Sequence, residues 1–290
     1  MRLADLKSLV KAGVLLANVL PVVSGFWLAL WYTDQSLADS WGLCLLTIAG
    51  STFVMAGALI LNNWYDVDID TIMARTKRRP TVTGNIPLKT VLLLGIFFTA
   101  LGLCLLAFFT TVEAAAYALI GWIAYVLLYT MWSKRRFTAN TLIGSVSGAV
   151  TPLIGWSAVE SSFHDIPIVL FLILFIWQMP HAYATAMKNF DDYKAAGVVL
   201  LPVVHGFAKT KKHIAAYIAC LIPLPFFLQA FGTAFIVICT VLNVVWLALG
   251  IGGFYAKDDK KWTRAMFLYS VNYITILFIL MIVVTLPMFA

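Results

Sequence analysis

The sequence predicts an all-α polytopic membrane protein: one domain, residues 1–290, forming a bundle of nine transmembrane helices. Three observations predict it. Of the 290 residues, 62% are hydrophobic and 11% charged. Soluble domains have about 45–50% and about 25%, so both a soluble globular protein and a disordered chain are excluded. The apolar residues form long continuous runs close to the roughly 20 residues a spanning helix needs. A membrane β-barrel would show alternating strands of about ten residues instead. Finally, the basic residues sort to one side of these runs.

The first run, 12–32, follows Arg2, Lys7 and Lys11, as the core of a signal peptide would. It is too long for one and no small-residue cleavage site follows, so it reads as the first membrane helix. The next spans are 41–62, 89–110 and 114–132, then 141–159, 166–187, 213–231, 233–255 and 266–287. No linker or low-complexity tract divides them. With this order, the segments before helix one and after helices two, four, six and eight contain all 20 Lys and Arg residues. The opposite loops carry Asp34, Asp39, Glu113, Glu160 and Asp165 and no basic residue. The positive-inside rule makes the basic side, with the N-terminus and the long loops, cytoplasmic. The net charge of +7 then reports topology, and no nucleic-acid partner is expected. Cys44, Cys104, Cys220 and Cys239 lie in apolar runs without CxxC spacing, which indicates neither a disulfide framework nor a zinc site.

Long loops on one face are where function concentrates. The loop after helix two starts with Asn62, Asp66 and Asp70, four residues apart. If the helix continues inward, the three share one face while Asp68 points elsewhere. Neighbouring carboxylates repel unless a cation lies between them, and Mg²⁺ takes one or two carboxylates plus substrate phosphates. The alternative is a solvated acidic helix end, although acids there oppose the macrodipole. Arg75 and Arg79 follow, again four apart. They suit either a diphosphate clamp or anionic lipid headgroups. After helix six, Lys188 stands three and four residues before Asp191 and Asp192. This spacing gives either a helix-end ion pair or a second metal or phosphate cluster facing the first. His181 follows Pro180 within helix six. An ionisable group there faces the bundle interior, as a core histidine or against a ligand.

Two acidic motifs on one membrane face, with Arg75-Thr76-x-x-Arg79-Pro80 beside the first, resemble the UbiA superfamily of intramembrane prenyltransferases over the whole chain. Three stretches resemble its heme O synthase (protoheme IX farnesyltransferase) branch. The first runs from Arg75 to Gly84, and the second from Tyr129-Thr130 through Lys134-Arg135-Arg136 and Asn140 to Gly155-Trp156. The third is Trp177-Gln178-x-Pro180-His181 with Lys188-x-x-Asp191-Asp192-Tyr193. Lys188 stands where aromatic-acceptor relatives usually carry an acid; Val198 and Val199 depart slightly from the branch.

The resemblance implies a UbiA-type bundle that joins farnesyl diphosphate to a vinyl group of heme B, with water added and diphosphate released. It implies Mg²⁺ as cofactor, on Asp66, Asp70, Asp191 and Asp192. It implies catalytic roles for Asn62, Asp66, Asp70, Lys188, Asp191 and Asp192, and diphosphate binding by Arg75, Arg79, Lys134 and Arg135. Heme contacts would fall to His181 and Asn140. The implied setting is the cell membrane of a prokaryote, with membrane lipid around the bundle and heme A synthase or terminal oxidase assembly as downstream partners. Other readings are a prenyltransferase with a quinone-precursor acceptor, or an ion-coupled transporter. A transporter would place its charges near mid-span, whereas here they sit at helix ends.

Overall fold

A computed structural model describes residues 3–286; Arg2 and residue 287, the end of the ninth predicted span, lie outside the described residues. Every regular element among the described residues is helical. Seven helices are long and apolar enough to cross a membrane, and the protein is an integral membrane protein.

A short helix, α1 (Leu3–Leu9), precedes the first span, α2 (Ala12–Tyr32). Lys11 joins them in the left-handed conformation, φ 46°, which is uncommon for a residue with a side chain. Leu9 anchors the turn among Ile60, Ile86 and Val91. The second span, α3 (Trp41–Tyr65), runs into α4 (Val67–Ile72). The amide of Asp66 bonds to the carbonyl of Asn62 at 3.0 Å and that of Asp70 to Asp66 at 2.9 Å, so the i to i−4 pattern continues across the junction. Next come α5 (Leu88–Phe109) and α6 (Val112–Ser133), whose second half, Ile123–Ser133, is a π-helix. Bonds to the fifth residue bring side chains four and five apart onto one face. Tyr125, Tyr129 and Lys134 are thereby aligned, with the Tyr125 and Tyr129 rings 5.7 Å apart.

Two predicted spans are not continuous helices. The segment 141–159 is broken into α7 (Asn140–Ala149) and α8 (Thr151–Ser157). Pro152 has no amide to offer the Gly148 carbonyl, and the Thr151 hydroxyl donates to that oxygen instead, at 2.6 Å. After α9 (Asp165–Lys188) and the short α10 (Phe190–Ala195), the predicted span 213–231 starts earlier, within α11 (Leu201–Leu221), which Gly206, at φ 77° and ψ 174°, breaks into a short first piece and a longer second one. Pro223 and Pro225 end it, and two 3₁₀ turns, Leu224–Phe227 and Gln229–Phe231, complete the stretch. The last spans are α12 (Gly232–Gly252) and α13 (Asp259–Val284).

The largest core cluster joins α2, α9, α11, α12 and α13 around Trp156, Trp246, Tyr273 and Phe278. On its other side α2 and α8 are in backbone contact. A Cβ on Gly25 would lie 2.1 Å from the Pro152 carbonyl oxygen, and one on Gly155 would lie 1.9 Å from that of Val22. Small residues permit such approach in membrane bundles, where van der Waals packing drives association.

Candidate active site

The end of α3 and the start of α4 bury three polar side chains: Asn62, Asp66 and Asp70 are 3%, 1% and 1% exposed. Asp68, on the opposite side, is exposed and held by both Arg135 guanidinium nitrogens at 2.6 and 2.7 Å. That hydrogen bonding keeps the Asp68 carboxyl below its usual range, against the opposing effect of partial burial.

Buried carboxylates need partners; these come from three parts of the chain, and a fourth, at Lys11, reaches them through Asn62. Lys134, following the π-helix, donates to Asp66 Oδ2. Arg79 donates to Asp70 Oδ2. Asn62 Nδ2 donates to Asp66 Oδ2 at 2.8 Å and to the Thr130 hydroxyl at 3.0 Å. Lys11 donates to Asn62 Oδ1. Burial lowers the Lys11 ammonium to about 7; repulsion from Arg79 and Lys134 adds to this, and Asp66 and Asp70 oppose it. Asp66 Oδ1 is buried with no hydrogen-bond partner among the described residues; Arg135 Nη2 lies 3.7 Å from it.

The second motif reaches the first loop. Asp192 Oδ1 accepts from the Ala74 amide at 3.0 Å, and its other oxygen lies 4.0 Å from Arg75 Nε. Arg75 also donates to the Tyr193 hydroxyl at 2.9 Å. Asp191 is exposed. Lys188 does not pair with either acid among the described residues; its ammonium lies over the Phe267 ring at 4.6 Å. The expected i, i+3 and i, i+4 geometry fails because Asn189, at φ −110° and ψ 33°, ends α9 before Asp191.

Among the described residues no three His, Cys, Asp or Glu side chains gather to ligate one metal ion. Mg²⁺ needs only one or two carboxylates when a substrate phosphate supplies further oxygens. The unpartnered Asp66 Oδ1, beside Asp70 and surrounded by cations, fits that requirement.

Two cavities adjoin one another in the bundle, and Tyr129, whose ring lies under the Lys134 ammonium, lines the second. One, about 80 Å³, is walled by Val54, Met55, Leu59, Val150 and Ile154. The other, about 320 Å³, is lined by α7 and α9 residues including Gly144, Gly148, Gln178 and His181, with Tyr129 and Tyr193. The second lies in the roughly 300–1,000 Å³ range of small-molecule sites.

Residues 18–271 match the UbiA prenyltransferase family. The chain belongs to that family. A protoheme IX farnesyltransferase of Oceanobacillus iheyensis is 54% identical over 288 residues, 99% of this chain and 91% of that protein. One of Geobacillus kaustophilus is 50% identical over 282 residues, 97% and 91% of the two chains. A UbiA homolog from Archaeoglobus fulgidus, solved with DMAPP and Mg²⁺, superposes with a TM-score of 0.68 at 19% identity, covering 94% of this chain and 99% of that one. A digeranylgeranylglyceryl phosphate synthase structure gives 0.75 at 20% identity, covering 98% of each chain. At these identities the two structures establish the UbiA fold alone.

Within this family member the expected heme contacts are differently placed. His181 lines the larger cavity, with its ring stacked on Trp177 at 4.8 Å and Nδ1 bonded to the Ser270 hydroxyl at 2.8 Å. Asn140 is fully buried; its amide nitrogen donates to the Val199 and Lys134 carbonyls at 2.6 and 3.3 Å, and its oxygen accepts from Thr141 at 3.1 Å. It ties α7 to the loop before α11 and presents no open group to a ligand. Gly148 faces the Gln178 amide, which a Cβ would meet at 2.6 Å, so this small residue serves close helix packing.

Sequence reasoning missed Lys11 as a site residue, because a lysine before a first span reads as a topology signal. It also missed Thr130, whose contribution depends on the π-helix.

Proposed function

We propose that this protein transfers a farnesyl group from farnesyl diphosphate to a vinyl group of heme B, giving heme O and diphosphate. The observation that carries this reading is the pair of buried acids under cations from three chain segments, in a bundle that holds two adjoining cavities of different character. The relatives named above act as its support at the level of the acceptor.

An allylic diphosphate leaves only if its developing charge is stabilised. Asp66 and Asp70 would hold Mg²⁺, with Asn62 assisting and Asp191 and Asp192 serving a second ion. That metal would supply Lewis-acid neutralisation of the diphosphate. Lys11, Arg79, Lys134 and Arg135 offer fixed donors to the leaving group from the same side. Asp192 positions Arg75 for the same anion. Val54, Leu59, Val150 and Ile154 enclose the prenyl chain and keep water from the allylic cation. The larger cavity takes the porphyrin, with His181 and its packed ring partners on one wall.

The basic ends of the helices face the cytoplasm of a prokaryotic cell membrane, on the strength of the charge sorting. Downstream, heme A synthase or terminal oxidase assembly receives the product. A quinone-precursor acceptor is the rival within the family. Membranes containing the protein, given isotope-labelled farnesyl diphosphate, Mg²⁺, heme B and 4-hydroxybenzoate together, should carry label in the heme fraction. Label in the hydroxybenzoate alone would refute the acceptor assignment.

A further inference from the structure

The proposed transfer makes two opposite demands on water. The allylic cation must not meet it, yet the product contains one added water. The cavities show how both can hold. They share Val14, Asn18, Tyr125 and Ser147, which therefore form the boundary between the prenyl and acceptor compartments.

The polar groups around the prenyl cavity are nearly all engaged. Ser51 donates to the Thr47 carbonyl at 2.7 Å, Thr151 to Gly148 at 2.6 Å and Ser147 to Gly144 at 2.7 Å. The Trp122 indole donates to Thr99 at 3.1 Å. At the boundary two groups remain without a hydrogen-bond partner among the described residues. One is the Tyr125 hydroxyl. The other is Asn18 Oδ1, whose own amide nitrogen is anchored to the Val14 carbonyl at 2.8 Å. Tyr125 is fixed in turn by the π-helix and by stacking on Tyr129.

We propose that Asn18 and Tyr125 hold the water that adds to the heme vinyl group. This rests on the prenyl-transfer reading above. Asn18 Oδ1 and the Tyr125 oxygen accept the two water hydrogens, leaving an oxygen lone pair directed into the acceptor compartment. The allylic C–O bond breaks with its electron pair on the diphosphate. The vinyl π pair then forms the C–C bond to the allylic carbon, and the positive charge moves to the vinyl carbon next to the porphyrin ring. The water lone pair forms a C–O bond there, and its proton passes to the released diphosphate. No electrons are gained or lost overall. Holding the water on the acceptor side of the boundary keeps it from the earlier cation and presents it to the later one. Without it, the second cation loses a proton from the adjacent carbon and gives an alkene one water lighter than heme O.

The test is the product ratio of Tyr125→Phe and Asn18→Leu in membranes supplied with heme B, farnesyl diphosphate and Mg²⁺, read by mass of the extracted hemes. Tyr125→Phe removes one hydroxyl and keeps the ring stack, so it retains the packing if Asn18→Leu does not. The ratio of lighter product to heme O should rise about tenfold in each, the effect of one hydrogen bond to the reacting group, while farnesylated heme is still made. Ser157→Ala, outside both cavities and with its hydroxyl already engaged by the Leu153 carbonyl at 2.6 Å, should leave the ratio at the parent value. An unchanged ratio in both variants would overturn the proposal. So would an equal shift in Ser157→Ala, or loss of all farnesylated heme from intact Tyr125→Phe protein, which would place Tyr125 in substrate binding instead. Absence of any farnesylated heme from the parent protein would instead overturn the prenyl-transfer reading itself.

Discussion

Asp66→Asn separates the two jobs of the first acidic motif. In the structure Asp66 Oδ2 accepts from Lys134 and from Asn62 at 2.8 Å, while Oδ1 is unpartnered. An asparagine amide has one acceptor and one double donor. Its oxygen must take the Oδ2 position, where two donors converge, so its NH₂ group takes the Oδ1 position. The hydrogens then point where a metal ion would need a lone pair. The fold keeps both hydrogen bonds, and the one from Lys134 still has a charged donor; the one from Asn62 becomes neutral and falls from about 1.5–3 to about 0.5–1.5 kcal/mol, which predicts a stability loss of about 1–1.5 kcal/mol. Asp66→Ala, which leaves Lys134 buried without a partner, should cost about 3–5 kcal/mol. Turnover responds differently. Loss of preorganised stabilisation of the leaving group typically costs about 10²–10³ in kcat, and both variants should show at least that. Three cations, Lys11, Arg79 and Lys134, remain around a single carboxylate, so inorganic diphosphate should bind Asp66→Asn without Mg²⁺ at least as tightly as it binds the parent. The assays are heme O formation against Mg²⁺ concentration, thermal unfolding in detergent and diphosphate titration. Near-parental kcat at limiting Mg²⁺ would refute the ligand assignment, and weaker diphosphate binding would refute the charge argument.

Lys11→Met should lower kcat/KM for farnesyl diphosphate about tenfold, the loss of one charge-assisted contact, while membrane insertion measured by fractionation is retained. Lys188→Ala should cost at most about 1 kcal/mol, as expected for an exposed cation–π contact, and should change KM for farnesyl diphosphate less than Lys134→Met does in parallel kinetics. Gly155→Ala places a methyl group 1.9 Å from the Val22 carbonyl oxygen in the unrelaxed structure, and the forced separation of α2 from α8 should lower stability by about 1–3 kcal/mol in thermal unfolding. In a cysteine-free background, a cysteine at position 36 should be labelled by an impermeant reagent from outside intact cells and one at position 83 should not; labelling at position 83 would overturn the orientation.

The sequence carried the spans and the acidic face because both follow from simple periodicities. Runs near spanning length became helices at α2, α3, α5, α6, α9, α12 and α13. The spacing of Asn62, Asp66 and Asp70 became a buried face because the helical hydrogen bonds continue across Asp66. What stayed hidden depended on local breaks or distant partners. Hydropathy does not register Pro152, yet its missing amide divides α7 from α8. Nor does it distinguish α from π winding, so the alignment of Tyr125, Tyr129 and Lys134 was out of reach. Lys188 was read on the spacing of an uninterrupted helix, and the turn at Asn189 redirected it to Phe267. Asn140 lies in a motif, but its buried hydrogen bonds to Lys134 and Val199 give it a structural task that spacing alone does not reveal.

The central claim is that the acids of α3 and α4 promote departure of diphosphate so that heme B is prenylated. It is tested most directly in membranes containing this protein, supplied with heme B and farnesyl diphosphate and assayed with Mg²⁺ and again after chelation. The account predicts a new heme, heavier than heme B by one farnesyl group and one water, formed with Mg²⁺ and absent without it. Recovery of unaltered heme B alone, with the protein intact and Mg²⁺ present, would contradict it.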